Sequence, residues 1–272
     1  MSEQQQTLDG DAVAGRNGSA IMSSFGETRG LSKSWALLLD IDGTLLDIAP
    51  TPESVLVPPN LVPLLSEIHA GLEGAVALVS VRAISDIDRL FHPLELPASG
   101  QNGAELRLSP GGEVVKPWAI PVDNRIRRAL DCIPSEFPGV RIEDKKDSIA
   151  VHYRQSPAAA KSLGHRLMGI IADIGGLTLM PGKAVWEVKG AGYDKGTAVV
   201  ELMRSPLFRG RRPAFLGDDI ADEDGFRAAE ALGGLGLRVG PAVDGRPAAF
   251  AAPAEVRRWL AELPRYINPE GR

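Results

Sequence analysis

Cysteine is almost missing from this chain: Cys132 stands alone among 272 residues. One thiol excludes an internal disulfide framework and a thiolate zinc cluster. No histidine-bearing motif lies beside it, so it reads as a bland helix-surface or core thiol rather than a nucleophile. Long apolar runs are missing too, since none approaches the roughly 20 residues that cross a bilayer. There is no large basic block, and the formal net charge is -5. That disfavours nucleic acid as a partner, because a phosphate backbone demands clustered Lys and Arg. The opening MSEQQQTLDGDAVAGRNGSA has neither the basic nor the apolar region of a secretory signal. The expectation is a cytoplasmic protein that spans no membrane.

What is present suits a folded core. The hydrophobic fraction is 44%, enough for a sizeable interior, and the length fits one large domain or two moderate ones. Residues 1–32 are polar, rich in Gly and Ser and without periodicity, as in a disordered tail. From Trp35 the text changes. Continuous apolar runs at 35–39, 75–79 and 213–216 predict strands covered on both faces, and 236–239 predicts a fourth. Helical spacing appears at 60–70, 83–91, 198–203, 223–232 and 253–263. Short strands are expected at 94–98 and 104–108, around the turn signal Gln101-Asn102-Gly103. Alternating strands and helices argue for a parallel sheet with helices on both faces.

The middle of the chain reads differently. A helix over 122–137 precedes a strand pair, 140–145 and 148–154, turning at Lys146-Asp147. A helix over 157–174 precedes a second pair, 177–180 and 184–189, turning at Pro181-Gly182-Lys183. Helix-strand-strand, twice, predicts a small α+β layer with an antiparallel sheet, inserted into the α/β core. Gly190 and Gly192 suit a hinge on its return.

Three core strands share one property: each ends in oxygen-bearing side chains. The first runs into Asp40-Ile41-Asp42, the second into Ser80, the third into Gly217-Asp218-Asp219. In open parallel sheets, ligands bind just beyond the carboxyl ends of strands. In extended backbone, Asp40 and Asp42 would share one side. Carboxylates that close repel, and a divalent cation relieves the repulsion. An all-carboxylate donor set favours Mg²⁺ over zinc. Any one aspartate alone reads equally as a turn or cap residue. Three adjacent strand ends of this kind, with Lys195 opening the next helix, point instead to a site.

These residues resemble the haloacid dehalogenase superfamily of phosphohydrolases. Asp40-Ile41-Asp42-Gly43-Thr44 is similar to its first motif, Ser80 to its second, Lys195 to its third, and Gly217-Asp218-Asp219 with Asp222-Glu223 to its fourth. The phrases GQNGAELR at 100–107, EDK at 143–145, VHYR at 151–154 and GDDIADEDGF at 217–226 look like the trehalose-6-phosphate phosphatase family. The resemblance implies a Rossmann-like parallel-sheet core, 33–114 and 191–266, with an inserted α+β cap domain of the C2B type at 115–190. Two departures stand out. The family's Ser-Gly-Arg is Ser80-Val81-Arg82 here, and its His-Gly-Ala-Glu is Asn102-Gly103-Ala104-Glu105. A valine lacks glycine's backbone freedom, and Asn keeps hydrogen bonding without a titratable ring.

The resemblance further implies roles. Asp40 is the nucleophile that forms an aspartyl-phosphate, and Asp42 carries the proton. Lys195 and Ser80 orient the phosphoryl oxygens. Mg²⁺ is held by Asp40, Asp42 through its carbonyl, and Asp218. Asp219 or Asp222 holds its waters or positions Lys195. The cap reads the sugar through Glu143, Lys145, Arg154, Lys183 and Glu187, while Arg82 and Asn102 contact it from the core and Glu105 braces the loop. His152 reads as strand packing. The implied activity is Mg²⁺-dependent hydrolysis of trehalose 6-phosphate in trehalose biosynthesis, by a monomer acting on a small sugar phosphate. Two alternatives remain open. One is a phosphatase of sucrose phosphate or a glycosyl-phosphoglycerate; the other is a catalytically silent sugar-phosphate-binding module.

Overall fold

The computed structural model describes residues 32–51, 54–117, 124–145, 148–243 and 245–267. All but the last residue of the expected tail, and the Lys146-Asp147 turn, lie outside that description. Among the described residues no helix is long and apolar enough to cross a membrane.

Seven strands form the larger sheet: β1 (Trp35–Leu39), β2 (Val76–Val79), β3 (Ala98–Gly100), β4 (Glu105–Arg107), β9 (Arg212–Gly217), β10 (Leu235–Val239) and β11 (Ala248–Phe250), in the order β11-β10-β9-β1-β2-β3-β4. Only the β3–β4 pair is antiparallel. Every residue of β1 and β2 is buried, as a sheet covered on both faces requires. The cover comes from α1 (Leu61–Gly71), α2 (Ile84–Phe91), α6 (Lys195–Arg204), α7 (Asp222–Ala231) and α8 (Pro253–Glu262), whose apolar residues join the strands in one core. The chain winds outward from β1 in both directions, so the strand order reverses there. Leu39 pairs with Leu78 on one side and with Leu216 on the other. That register brings Asp40, Ser80 and Asp218 to one edge of the sheet.

The middle segment builds a second, antiparallel sheet in the order β5-β6-β8-β7, from β5 (Arg141–Asp144), β6 (Ser148–His152), β7 (Leu177–Gly182) and β8 (Val185–Gly190). With α3 (Asn124–Leu130), α4 (Ile133–Glu136) and α5 (Ala160–Ile174) it encloses its own apolar cluster, including Ile149, Val151, Leu163, Leu167 and Val188. The expected helix over 122–137 is two helices. Pro134 cannot donate to the helical ladder, and its ring would crowd the Leu130 carbonyl, so the chain breaks at Asp131-Cys132. The expected strand at 94–98 begins only at Ala98, after Pro97, which has no N–H for the ladder. The second hairpin turns at Lys183-Ala184, later than expected, because β7 continues through Pro181. As an edge strand it tolerates the missing donor. Ala184 takes the left-handed conformation, φ 60°. The strand β11 and the short helix α9 (Pro264–Ile267) were too brief for periodicity to reveal.

Candidate active site

The apolar run of β1 stops at Leu39, and the chain turns at once. The N–H groups of Thr44, Leu45 and Leu46 all donate to the Ile41 carbonyl. The carboxylates of Asp40 and Asp42 take different partners. Asp40, 4% exposed, accepts from Lys195 Nζ at 2.7 Å. Asp42 accepts two bonds from Arg82, from Nε at 2.6 Å and from Nη2 at 2.7 Å. Gly43 sits at φ 86°, and a Cβ there would lie 2.2 Å from an Asp218 carboxylate oxygen. Only glycine permits both the turn and that approach.

Lys195 opens α6, whose N-terminus is capped by Asp194 accepting from Thr197 N at 2.7 Å. The lysine is 1% exposed and donates also to Asp222 Oδ1 at 2.6 Å. Burial alone would favour its neutral form, but the charges of Asp222 and Asp40 and its bonds to both outweigh that and raise its pKa. Burial also pushes the Asp40 carboxyl well above its ordinary range, against the Lys195 ammonium; the charges of Asp222 and Asp218 add to the rise.

Oxygen atoms of Asp40, Asp218 and Asp222 lie within 4.8 Å of one another, a spacing that suits a hard divalent ion. Of the two residues the sequence offered beside the ion or Lys195, Asp222 rather than Asp219 joins this group and bonds Lys195. The cause is the phase of the turn after β9. Asp219 Oδ1 accepts from Ile220 N at 2.8 Å within its own turn. Asp222 folds back from the start of α7, and its Oδ2 accepts from Asp218 N at 2.9 Å and Asp219 N at 2.8 Å.

Ser80 is fully buried beyond β2, with its hydroxyl accepting from Arg82 N at 3.2 Å. Val81 is not among the non-glycine residues with positive φ, so Ser80-Val81-Arg82 fits without the rearrangement a glycine-only conformation would have forced. Asn102, by contrast, sits at φ 54°, ψ 38°, a conformation Asn tolerates better than most residues. Glu105 accepts from Ile84 N at 2.8 Å and braces the loop.

The second sheet turns one polar face away from its apolar cluster. Glu143, Ala150, Glu187 and Met180 lie in one cross-strand row, so they share that face. Glu187 reaches the larger unit: Asn102 Nδ2 donates to its Oε2 at 3.0 Å, and Ser148 Oγ donates to its Oε1 at 2.6 Å. Lys145 lies 3.7 Å from the same carboxylate. Lys183, at the hairpin tip, donates to Asp218 Oδ2 at 2.6 Å. Burial would lower its pKa, but the bond to Asp218 and nearby negative charge raise it overall. Two expected sugar contacts have other surroundings. Glu143 pairs with His152 at 2.9 Å on the surface, and Arg154 is exposed beyond β6. That pair also gives His152 a polar contact where strand packing was expected. The sequence reading passed over Arg238 and Lys189, both buried. A signal was available: Arg238 is a lone cation in an apolar strand, and Lys189 is the lone cation of its strand.

Comparison with known proteins identifies the family. Residues 38–247 match the family described as Trehalose-phosphatase. The probable trehalose-phosphate phosphatase of Sinorhizobium fredii is 40% identical over 237 residues, 86% of this chain and 89% of its own. The trehalose-6-phosphate phosphatase of Escherichia coli K12 is 35% identical over 237 residues, 86% of this chain and 88% of its own. Among solved structures, the C-terminal domain of C. albicans trehalose-6-phosphate phosphatase superposes with a TM-score of 0.76 at 23% identity. That match covers 91% of this chain and 96% of the other, and shows a shared fold. The chain belongs to the trehalose-phosphatase family of phosphoric monoester hydrolases.

Proposed function

We propose that this chain hydrolyses trehalose 6-phosphate to trehalose and phosphate through an aspartyl-phosphate on Asp40. The observation that carries the reading is the buried Asp40 held 2.7 Å from Lys195, beside Asp218 and Asp222. Asp40 attacks phosphorus and the sugar oxygen leaves, taking a proton from the acid form of Asp42, which becomes the carboxylate that Arg82 holds. Water then attacks the acyl-phosphate and gives its proton back to Asp42, releasing phosphate and free Asp40. Arg82 orients the Asp42 carboxylate through its two bonds. Lys195 and the Ser80 hydroxyl neutralise and orient the phosphoryl oxygens.

The donor set fits Mg²⁺. It consists of hard oxygens only, and burial and mutual repulsion hold Asp40 and Asp218 above their ordinary pKa in the absence of a further cation. Asp40, the Asp42 carbonyl and Asp218 would hold the ion, with Asp222 supporting from behind. When bound, it supplies charge neutralisation at the phosphoryl group.

Within this reading, residues 115–190 act as the cap over a core of 33–114 and 191–266. The cap's polar face, with Lys145, Lys183 and Glu187, reads the sugar hydroxyls together with Asn102. The enzyme acts as a cytoplasmic monomer on a small soluble substrate in trehalose synthesis. Phosphate release from a panel of sugar phosphates with Mg²⁺ tests all of this, with Asp40→Asn as control. Trehalose 6-phosphate should give the highest kcat/KM, and Asp40→Asn should be inactive. Faster turnover of sucrose phosphate or a glycosyl-phosphoglycerate would displace the substrate reading, and full turnover by Asp40→Asn would displace the mechanism.

A further inference from the structure

Arg238 lies on β10, where the register sets it beside Gly217, the last residue of β9. It is 4% exposed. Its guanidinium is used in three directions. Nη2 donates to the Asp218 carbonyl at 3.0 Å, Nη1 to Glu223 Oε1 at 3.0 Å, and Nε to the Pro241 carbonyl at 2.8 Å. The first two of these partners belong to the turn that carries Asp218 and Asp222.

The Asp218 residue is thus gripped at both ends of its backbone. Its N–H donates to Asp222 Oδ2 at 2.9 Å, and its carbonyl accepts from Arg238. Two opposed hydrogen bonds leave the intervening Cα little freedom to rotate. The direction of the Asp218 side chain is set accordingly, toward Asp40 and against Gly43. The bond to Glu223 extends the grip to the first turn of α7, one residue past Asp222. A single side chain therefore ties the Asp218 backbone and the first turn of α7 to β10.

We infer that Arg238 is a positioning residue for the cation site: it aims Asp218 at the ion and sets the affinity for Mg²⁺ without touching the reacting atoms. A preorganised ligand binds without a further ordering cost, and groups behind a metal site typically change affinity by about 10- to 100-fold. The inference rests on the metal reading given under the proposed function. An alternative is a purely structural role, in which the arginine only joins β10 to the turn. The two differ in what they move. A structural brace lowers stability and leaves the Mg²⁺ dissociation constant unchanged, whereas a positioning residue moves that constant.

The test is titration of the metal-free full chain with Mg²⁺ alone, followed by calorimetry, for wild type, Arg238→Met, Arg238→Lys and Asp218→Asn. Glu223 keeps Arg246 at 3.4 Å when Arg238 is replaced, so its carboxylate is not stranded. Arg238→Met should weaken Mg²⁺ binding about tenfold or more. Arg238→Lys, which keeps the charge but reaches fewer of the three acceptors, should fall between it and wild type. For both variants, kcat should recover toward wild type as Mg²⁺ is raised, with KM for the sugar phosphate unchanged. Should Arg238→Met not fold, Arg238→Lys carries the test. Wild-type Mg²⁺ affinity in the arginine variants, with binding lost in Asp218→Asn, overturns the positioning role and leaves the metal reading standing. Wild-type affinity in Asp218→Asn overturns the metal reading, and this inference with it.

Discussion

Lys183 Nζ lies 2.6 Å from Asp218 Oδ2, joining the hairpin tip of the smaller unit to the carboxylate cluster of the larger one. The lysine is half exposed, at 52%, and the aspartate nearly buried, at 10%. An ammonium in that place does part of a metal ion's work by neutralising Asp218. It also competes for the same oxygen. Partly exposed pairs are worth about 0.2–1 kcal/mol, so the competition is modest. Lys183→Met is expected to tighten Mg²⁺ binding about two- to fivefold when substrate is absent. The same variant should raise KM for the sugar phosphate, because a donor to the sugar is lost from the cap. Calorimetry and steady-state kinetics check the two halves. Weaker Mg²⁺ binding in the variant would show that the lysine supports the ion rather than competing with it.

Arg82 and Asp42 form the other charged pair at the strand ends. Two parallel bonds to a planar guanidinium fix both position and orientation of the carboxylate, which one ammonium cannot do. With Asp42 in the proton-carrying role proposed above, a misplacement of about 1 Å costs on the order of 100-fold in rate. Arg82→Ala should therefore lower kcat by about that factor, and Arg82→Lys by about tenfold. An alanine variant with wild-type kcat and a raised KM would assign Arg82 to substrate binding alone.

Much of this arrangement was legible because strand ends are. The apolar runs at 35–39, 75–79 and 213–216 located β1, β2 and β9, and the residues following each run are those gathered at one sheet edge. The helix-strand-strand repeat likewise anticipated the second sheet. What stayed hidden depended on the phase of a turn or on distance along the chain. Asp219 and Asp222 share one turn, and only its folded path decides which of them reaches Lys195. Arg82 lies 40 residues from Asp42, and no local pattern couples them. Arg238 and Lys189 were visible as the lone cations of their strands, but strand alternation does not say which neighbouring loop a buried cation supports.

Lys189 offers a test in solution. Its ammonium is 1% exposed, sits 4.3 Å over the Tyr193 ring and donates to the Tyr193 and Asn102 carbonyls. Burial pulls its pKa down from 10.5 to about 8, against the charges of Glu187, Asp194 and Asp224. Below about pH 8 the folded chain bears the full cost of a buried charge. Between about 8 and 10.5 the unfolded chain keeps a proton that the folded chain has released, so this contribution to stability rises with pH. A shift of that size corresponds to about 3 kcal/mol. Relative to Lys189→Met, wild type should gain on that order between pH 7.5 and 10.5, measured by guanidinium unfolding. A difference that stays flat across that range would mean the lysine titrates normally.

Asn102 bridges the two units, and its backbone and side chain separate under substitution. Its left-handed conformation costs an ordinary residue about 1 kcal/mol, and glycine nothing. Its amide donates to Glu187, which also receives Ser148. Asn102→Gly removes the amide and keeps the conformation; Asn102→Ala removes the amide and adds strain. If the amide holds Glu187 for the sugar, both variants should raise KM by a similar factor. One neutral-to-charged hydrogen bond is worth about 1.5 kcal/mol, so that factor is about tenfold. Only the alanine variant should also lose thermal stability. A glycine variant with wild-type KM would mean that Glu187 is positioned without Asn102, by Ser148 and Lys145 alone.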